Sequence, residues 1–345
     1  VVPDFAASII GPAHRVQPAG SHAPPARWLN PGYDLAQQPC QAAKTCEIRV
    51  MNFARLIRRF RIEKAHDFRL ADFDPADTCG LDLGKSAAKD MIADGLRHLT
   101  AMQEKLYAQN RWALLIVLQG MDASGKDGVI KHVMSGLNPQ GCEVHAFKRP
   151  SAEDLEHDFL WRAARHLPAR GRIGIFNRSY YEDVLVVRVR RELLGRQNLP
   201  ADLVTKAIWS ERFNSIRAFE RHLALNGTMV LKFYLRISPQ EQRRRLLARL
   251  DEPAKRWKFS MDDVDDRKLW SRYMEAYEDA IRNTATAQAP WHVVPADHKW
   301  FAWLMVAAAI AEAMERLNLE FPVVRGKALA ELERVRRALG APKAT

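Results

Sequence analysis

Cysteine is scarce in this chain: four residues in 345, at Cys40, Cys46, Cys79 and Cys142. Their spacing fits neither a disulfide framework nor a thiolate metal site, and so few thiols point to a reducing cytoplasm. Long apolar runs are missing as well. The longest, near Trp303 to Ile310, is alanine-rich and well short of the roughly 20 residues a membrane span needs. It reads as a buried helix, and no membrane partner is expected. None of the eleven histidines has a convincing metal-ligand spacing. No internal repeat is visible. What the chain has in excess is positive charge: 53 Lys and Arg against 41 Asp and Glu, a net of +12. That excess implies an anionic partner, whether nucleic acid, an acidic membrane surface or a polyanionic substrate. Hydrophobic residues make up 47% of the chain, enough for a sizeable core in one large or two small domains.

The first fifty residues differ from the rest. Seven of the eighteen prolines lie there, with few charges and no periodicity, and the first methionine is Met51. Residues 1–50 are therefore expected to be a disordered extension, or upstream sequence translated from a misplaced start codon. They show neither the basic start nor the compact apolar core of a secretory signal. Residues 51–84 read as an N-terminal arm carrying Arg55, Arg58, Arg59 and Arg61. That cluster is either a solvated helix or an arm that closes over an anion. Residues 85–320 form the main domain. Residues 321–345 are a basic tail, with an amphipathic helix from about Gly326 to Leu339.

The centre of the chain is WALLIVLQGMDASGKDGVIKHV, Trp112 to Val133. Ala113 to Leu118 is an unbroken apolar run of strand length, as a parallel strand covered on both faces requires. Gly120 to Lys126 fits the phosphate-loop pattern G-x-x-x-x-G-K, and Val129, Ile130 and Val133 mark one face of the helix behind it. Glycines let backbone N–H groups converge on an anion, the helix N-terminus adds partial positive charge, and Lys126 adds a full one. Two details are unusual. Asp127 stands where many such loops carry a magnesium-binding Ser or Thr. A second carboxylate, Asp122, lies inside the loop. A carboxylate among phosphates is costly unless a cation lies between them, so Asp122 is the candidate Mg²⁺ ligand.

Four further parallel strands are expected at Cys142–Phe147, Arg172–Phe176, Met229–Ile237 and Trp291–Val294, giving five in all, sandwiched by helices. A helix from Ser86 to Asn110 precedes the central strand. Ser151, with Asp154 three residues on, caps a helix to about His166. Further helices cover Ala201–Leu225, Asp265–Arg282 and a closing segment to about Leu317. Asn177, Arg178 and Glu182 follow the third strand, where an open α/β sheet binds ligands. Asn177 is neutral where many phosphate-loop enzymes have an aspartate for Mg²⁺, which puts more of the metal work on Asp122. The segment 243–268 is basic and lies between helices, as a lid over phosphates would; the plain alternative is a solvated hairpin. Arg245 and Arg249 lie four apart on one face of its first helix. The candidate phosphate-binding set is Gly120, Ala123, Ser124, Gly125, Lys126, Asp127, Gly128, Lys131, Lys148 and Arg245.

The runs LLIVLQGMDASGKDGVIKHV, GRIGIFNRSYYEDVLV, ISPQEQRRRLLARLDEPAKRWKFSMDD and APWHVVPADHK together resemble the polyphosphate kinase 2 family. The resemblance covers about Lys85 to Asn318. It implies a P-loop kinase fold related to thymidylate kinase and phosphoryl transfer between inorganic polyphosphate and nucleotides with Mg²⁺. It also implies catalytic roles: Asp122 as the metal-linked acid, Lys126 as phosphate holder, Asn177 and Arg178 with Glu182 as the second motif, and Arg249 as the lid arginine. Members acting on diphosphates have Asp at the position of Asn177 and Asn at that of Glu182. The pattern here looks like the subgroup that accepts nucleoside mono- and diphosphates. Family analogy suggests a homo-oligomer. Two other readings are an ATP-dependent nucleotide kinase on the same fold and a non-catalytic nucleic-acid-binding protein. The acid inside the loop argues against the latter, so nucleic acid is not an expected partner.

Overall fold

The computed structural model describes residues 56–81, 85–258 and 260–340. The expectations for residues 1–50 and for Arg55 lie outside the described residues. Five parallel strands form where the apolar runs predict them: β2 (Ala113–Gln119), β3 (Cys142–Ala146), β4 (Ile173–Asn177), β5 (Thr228–Arg236) and β6 (Trp291–Pro295). A sixth strand was not expected. β1, only Arg61–Ile62, comes from the arm and pairs antiparallel with β6, with Arg61 opposite His292. Two residues carry no periodicity to read, so sequence could not announce it. The sheet order is β1-β6-β5-β2-β4-β3, which puts the loop-bearing strand β2 between β5 and β4.

The continuous apolar run of β2 is explained by its burial on both faces. Leu114, Ile116 and Leu118 point into one core and Leu115 and Val117 into the other. The first core is covered by helices α1 (Lys85–Gln109), α2 (Lys126–Val133) and α7 (Lys299–Glu315). The second is covered by α3 (Ile208–Leu225) and α6 (Trp270–Thr284). Between α3 and α6 lie α4 (Pro239–Asp251) and α5 (Met261–Lys268), joined by a tight turn at Pro253–Lys258. The exposed tail helix α8 (Lys327–Ala338) forms where the amphipathic pattern places it.

Three predicted helices are interrupted. The segment after Ser151 does form the predicted capping box with Asp154, but it yields two single turns, Ala152–Leu155 and Trp161–Ala164. Asp158 breaks it by accepting from the Leu160 amide, a local side-chain turn that competes with helix. The 201–225 segment makes a single 3₁₀ turn at Ala201–Leu203 and becomes α-helical only at Ile208, and the 265–282 segment is divided at Leu269. Arg59 pairs with Asp77, and Arg61 with Glu63 and Glu312. Tyr273 and Tyr277 are buried in the core, as packing residues should be.

Below the site, Lys232 of β5 is wholly buried against Glu220 of α3 (2.7 Å). Its other two bonds go to Tyr181 Oη (3.0 Å) and the Thr284 carbonyl (2.8 Å). The hydroxyls of Tyr180 and Tyr181 each lie 2.9 Å from Glu220 Oε1. Satisfied in this way, the pair is tolerable, but either charge left alone is not. Lys232→Met should therefore lower unfolding free energy by about 3–5 kcal/mol, and adding Glu220→Leu should recover part of the loss. Urea denaturation of both variants checks this; equal stability of single mutant and wild type would contradict it.

Candidate active site

β2 delivers the chain into the loop at Gly120, where φ is +155° and an added Cβ would lie 2.9 Å from the Leu235 carbonyl oxygen. Only glycine fits there. Gly125, at φ +109°, is the N-cap of α2. Between them Ala123 is held at φ +64°, a left-handed conformation that is uncommon for a residue with a Cβ. Lys126, the first residue of α2, is buried and reaches back across the loop. Its ammonium donates to the carbonyls of Gly120 (2.7 Å) and Met121 (3.2 Å). Burial, reinforced by the nearby Arg178 charge, pushes Lys126 down from 10.5 to about 8.

Arg178 follows β4 at φ +63° and bridges two carboxylates. One Nη donates to Asp122 (2.5 Å) and the other to Glu182 (3.3 Å). Burial alone would raise Asp122, but Arg178, Lys126 and Arg249 together hold it below its ordinary value. The two oddities of the sequence turn out to be neighbours: Asn177 Nδ2 donates to Asp127 Oδ1 (2.9 Å). An aspartate at 177 would face the Asp127 carboxylate with a like charge, so the neutral residue at 177 suits the acid at 127.

Over the loop lies a cavity of about 970 Å³. From the loop and α2 it is lined by Asp122, Ala123, Gly125, Lys126, Asp127, Gly128 and Lys131. Lys148, Asn177 and Arg178 face it from the strand ends, and Arg245 and Arg249 from α4. Three candidate residues are not on its wall. Gly120 and Ser124 are loop residues turned away from the cavity, with the Ser124 hydroxyl buried, and Glu182 pairs with Arg178 off the wall. Nine cationic side chains line the cavity against three carboxylates, an arrangement that selects a polyanion. Arg245 is the least available of the nine, because its guanidinium is occupied by backbone carbonyls and Glu241.

Sequence reading missed Asp263. This residue of α5 pairs with Arg249 (3.4 Å) and lies within hydrogen-bonding reach of Asp122. Burial, then the Asp122 charge, pushes it up to about 6. Also missed were His132 and Trp303, whose rings stack at 3.8 Å on the cavity wall. The turn between α4 and α5 adds Lys255 and Trp257 to the same wall.

The chain matches the family model of polyphosphate kinase 2 over residues 82–322. It belongs to the polyphosphate kinase 2 family. It is 49% identical to an ADP-polyphosphate phosphotransferase of Rhodopseudomonas palustris, over 72% of this chain and 87% of that protein. It is 46% identical to an AMP/ADP-polyphosphate phosphotransferase of Meiothermus ruber, over 77% of this chain and 96% of that protein. Among solved structures, the polyphosphate kinase 2 of Arthrobacter aurescens superposes with a TM-score of 0.73 at 39% identity. That match covers 80% of this chain and 95% of the other. The polyphosphate kinase 2 match takes in every cavity residue named above; the edge strand β1 and the tail helix α8 fall outside it. Among the described residues no helix is long and apolar enough to cross a membrane.

Proposed function

We propose that this member of the polyphosphate kinase 2 family transfers a phosphoryl group between inorganic polyphosphate and nucleoside diphosphates and monophosphates, ADP and AMP foremost. The observation that carries this reading is the meeting of Lys126, Arg178 and Arg249 with Asp122 and Asp263 in one cationic cavity over the phosphate loop. Phosphoryl transfer asks little covalent chemistry of a protein. In-line positioning and charge neutralisation do most of the work. Lys126 and the loop amides hold the donor phosphate. Arg178 and Arg249 draw the acceptor phosphate toward it and stabilise the charge that spreads over the transferring group. No general base is required, since an acceptor phosphate oxygen is already ionised near neutral pH.

The carboxylates suit a hard cation. Asp122 and Asp263 are oxygen ligands in mutual reach, and Mg²⁺ usually completes its shell with phosphate oxygens and water. Among the described residues no cluster of three or more acid, histidine or cysteine side chains forms a metal site by itself, which agrees with a cation shared with substrate. When bound there, Mg²⁺ would offset the repulsion between the two anions.

The test is incubation with long-chain polyphosphate and either ADP or AMP, with no other phosphoryl donor, followed by chromatography. ATP from ADP and ADP from AMP are the expected products. Absence of any polyphosphate-dependent product would overturn the reading. The pH profile follows from Lys126. Its ammonium is needed to hold phosphate and is lost as pH rises through about 8. The kcat/KM for polyphosphate should be level between about pH 7 and 8 and then fall by up to about tenfold per pH unit. A profile level from pH 7 to 9.5 would show that this amine is not the group that matters.

A further inference from the structure

An anion-binding loop works only if its carbonyls face away from the anion, since a flipped peptide replaces a donor with a repelling oxygen. Each turned-away carbonyl then needs its own donor, because an unpaired buried oxygen is unfavourable. Here the donors for residues 120–125 can be followed one by one. Lys126 serves Gly120 and Met121. The Val129 amide serves Gly125. The middle three come from elsewhere, from two side chains of α4. Gln242 Nε2 donates to the Asp122 carbonyl (3.0 Å). One Nη of Arg245 donates to the carbonyls of both Ala123 (3.1 Å) and Ser124 (2.9 Å).

Both side chains are themselves fixed. Gln242 is buried, and its oxygen accepts from Arg267 of α5 (3.0 Å), which aims its nitrogen at the loop. Arg245 is buried too. Its second Nη donates to the carbonyls of Ala296 (2.6 Å) and Asp297 (3.0 Å) beyond β6, and its Nε to Glu241 (2.7 Å). All five N–H directions of the guanidinium therefore have acceptors, and four of those acceptors are main-chain oxygens.

We propose that Gln242 and Arg245 are positioning residues: a carbonyl clamp on α4 that locks the phosphate loop open toward the anion and ties it to the chain after β6. The clamp also keeps Ala123 in its left-handed conformation. Because α4 carries Arg249 into the cavity, loop shape and arginine placement are set by one helix. This role replaces direct phosphate binding for Arg245. It rests on the phosphate-transfer reading above only for its kinetic consequences.

Arg245→Lys and Gln242→Met test it. Lysine keeps the charge but offers donors from a single point, so it cannot serve carbonyls on both sides. Gln242 has no charge to lose, and its variant keeps the test open should Arg245→Lys fail to fold. In both, kcat should fall at least about tenfold while the salt dependence of polyphosphate binding stays that of wild type, because the loop is displaced and no charge is removed. Amide hydrogen exchange across 120–126 should accelerate at least about tenfold in both variants, with exchange in β5 unchanged. Wild-type kcat in Arg245→Lys would mean that Arg245 serves only as a charge on phosphate. Unchanged loop exchange in both variants would overturn the clamp. The exchange measurement needs no substrate, so it stands even if the wild-type protein turns out not to use polyphosphate.

Discussion

Lys126→Ala should lower kcat/KM for polyphosphate-dependent transfer by roughly 10²–10³-fold, the range seen when one preorganised charge-stabilising donor is removed. The fold should survive the change. Lys126 is buried, and burial works against its charged form, so its removal relieves a desolvated charge and costs one loop contact, the donor to the Gly120 carbonyl. Met121 keeps a second donor, the Ser124 amide, and the middle carbonyls keep Gln242 and Arg245. Thermal denaturation beside the transfer assay separates the two effects. Turnover within tenfold of wild type in a folded Lys126→Ala protein would remove the phosphate loop from the mechanism.

Arg178→Lys should be nearly as damaging, with kcat down at least about 10²-fold despite the conserved charge. Arg178 does two things at once that a lysine cannot. Its planar fork spans Asp122 and Glu182, and its guanidinium still faces the cavity. An ammonium can approach only one of those acids closely. The other carboxylate is then left near Asp122, or Asp122 itself loses the partner that holds it below its ordinary value. Kinetics at saturating polyphosphate and nucleotide give the test, with Arg178→Met as a stronger variant. If Arg178→Lys retains wild-type kcat, the forked geometry is irrelevant and only charge counts.

The parts of this protein legible in sequence are those whose signal is local. The β2–loop–α2 unit announces itself because an apolar strand, a glycine pair and a lysine must follow one another directly to make an anion site. Arg178 was legible by position, since a parallel sheet gathers its strand ends on one edge. The interrupted helices were not, because a single Asp158 turn outweighs a helical pattern, and neither was β1, whose pairing with β6 spans more than two hundred residues.

Asp263 marks the limit most clearly. It sits in a run of four acids that sequence cannot rank: Asp262 pairs with Arg149, Asp265 with Lys268, Asp266 with Arg190, and Asp263 with Arg249. Arg245 and Arg249 show the same limit with opposite sign. Four residues apart on one helix face, both line the cavity, but one is enclosed by carbonyls and the other pairs with Asp263. Sequence alone determined that a phosphate loop sits on a parallel sheet in a basic protein, because strand burial, glycine turns and net charge are properties of short stretches or of the whole. Which acid meets Asp122, and which arginine is enclosed by loop carbonyls and which pairs with Asp263, was decided only in three dimensions. A side chain's role there depends on partners that arrive from other parts of the chain.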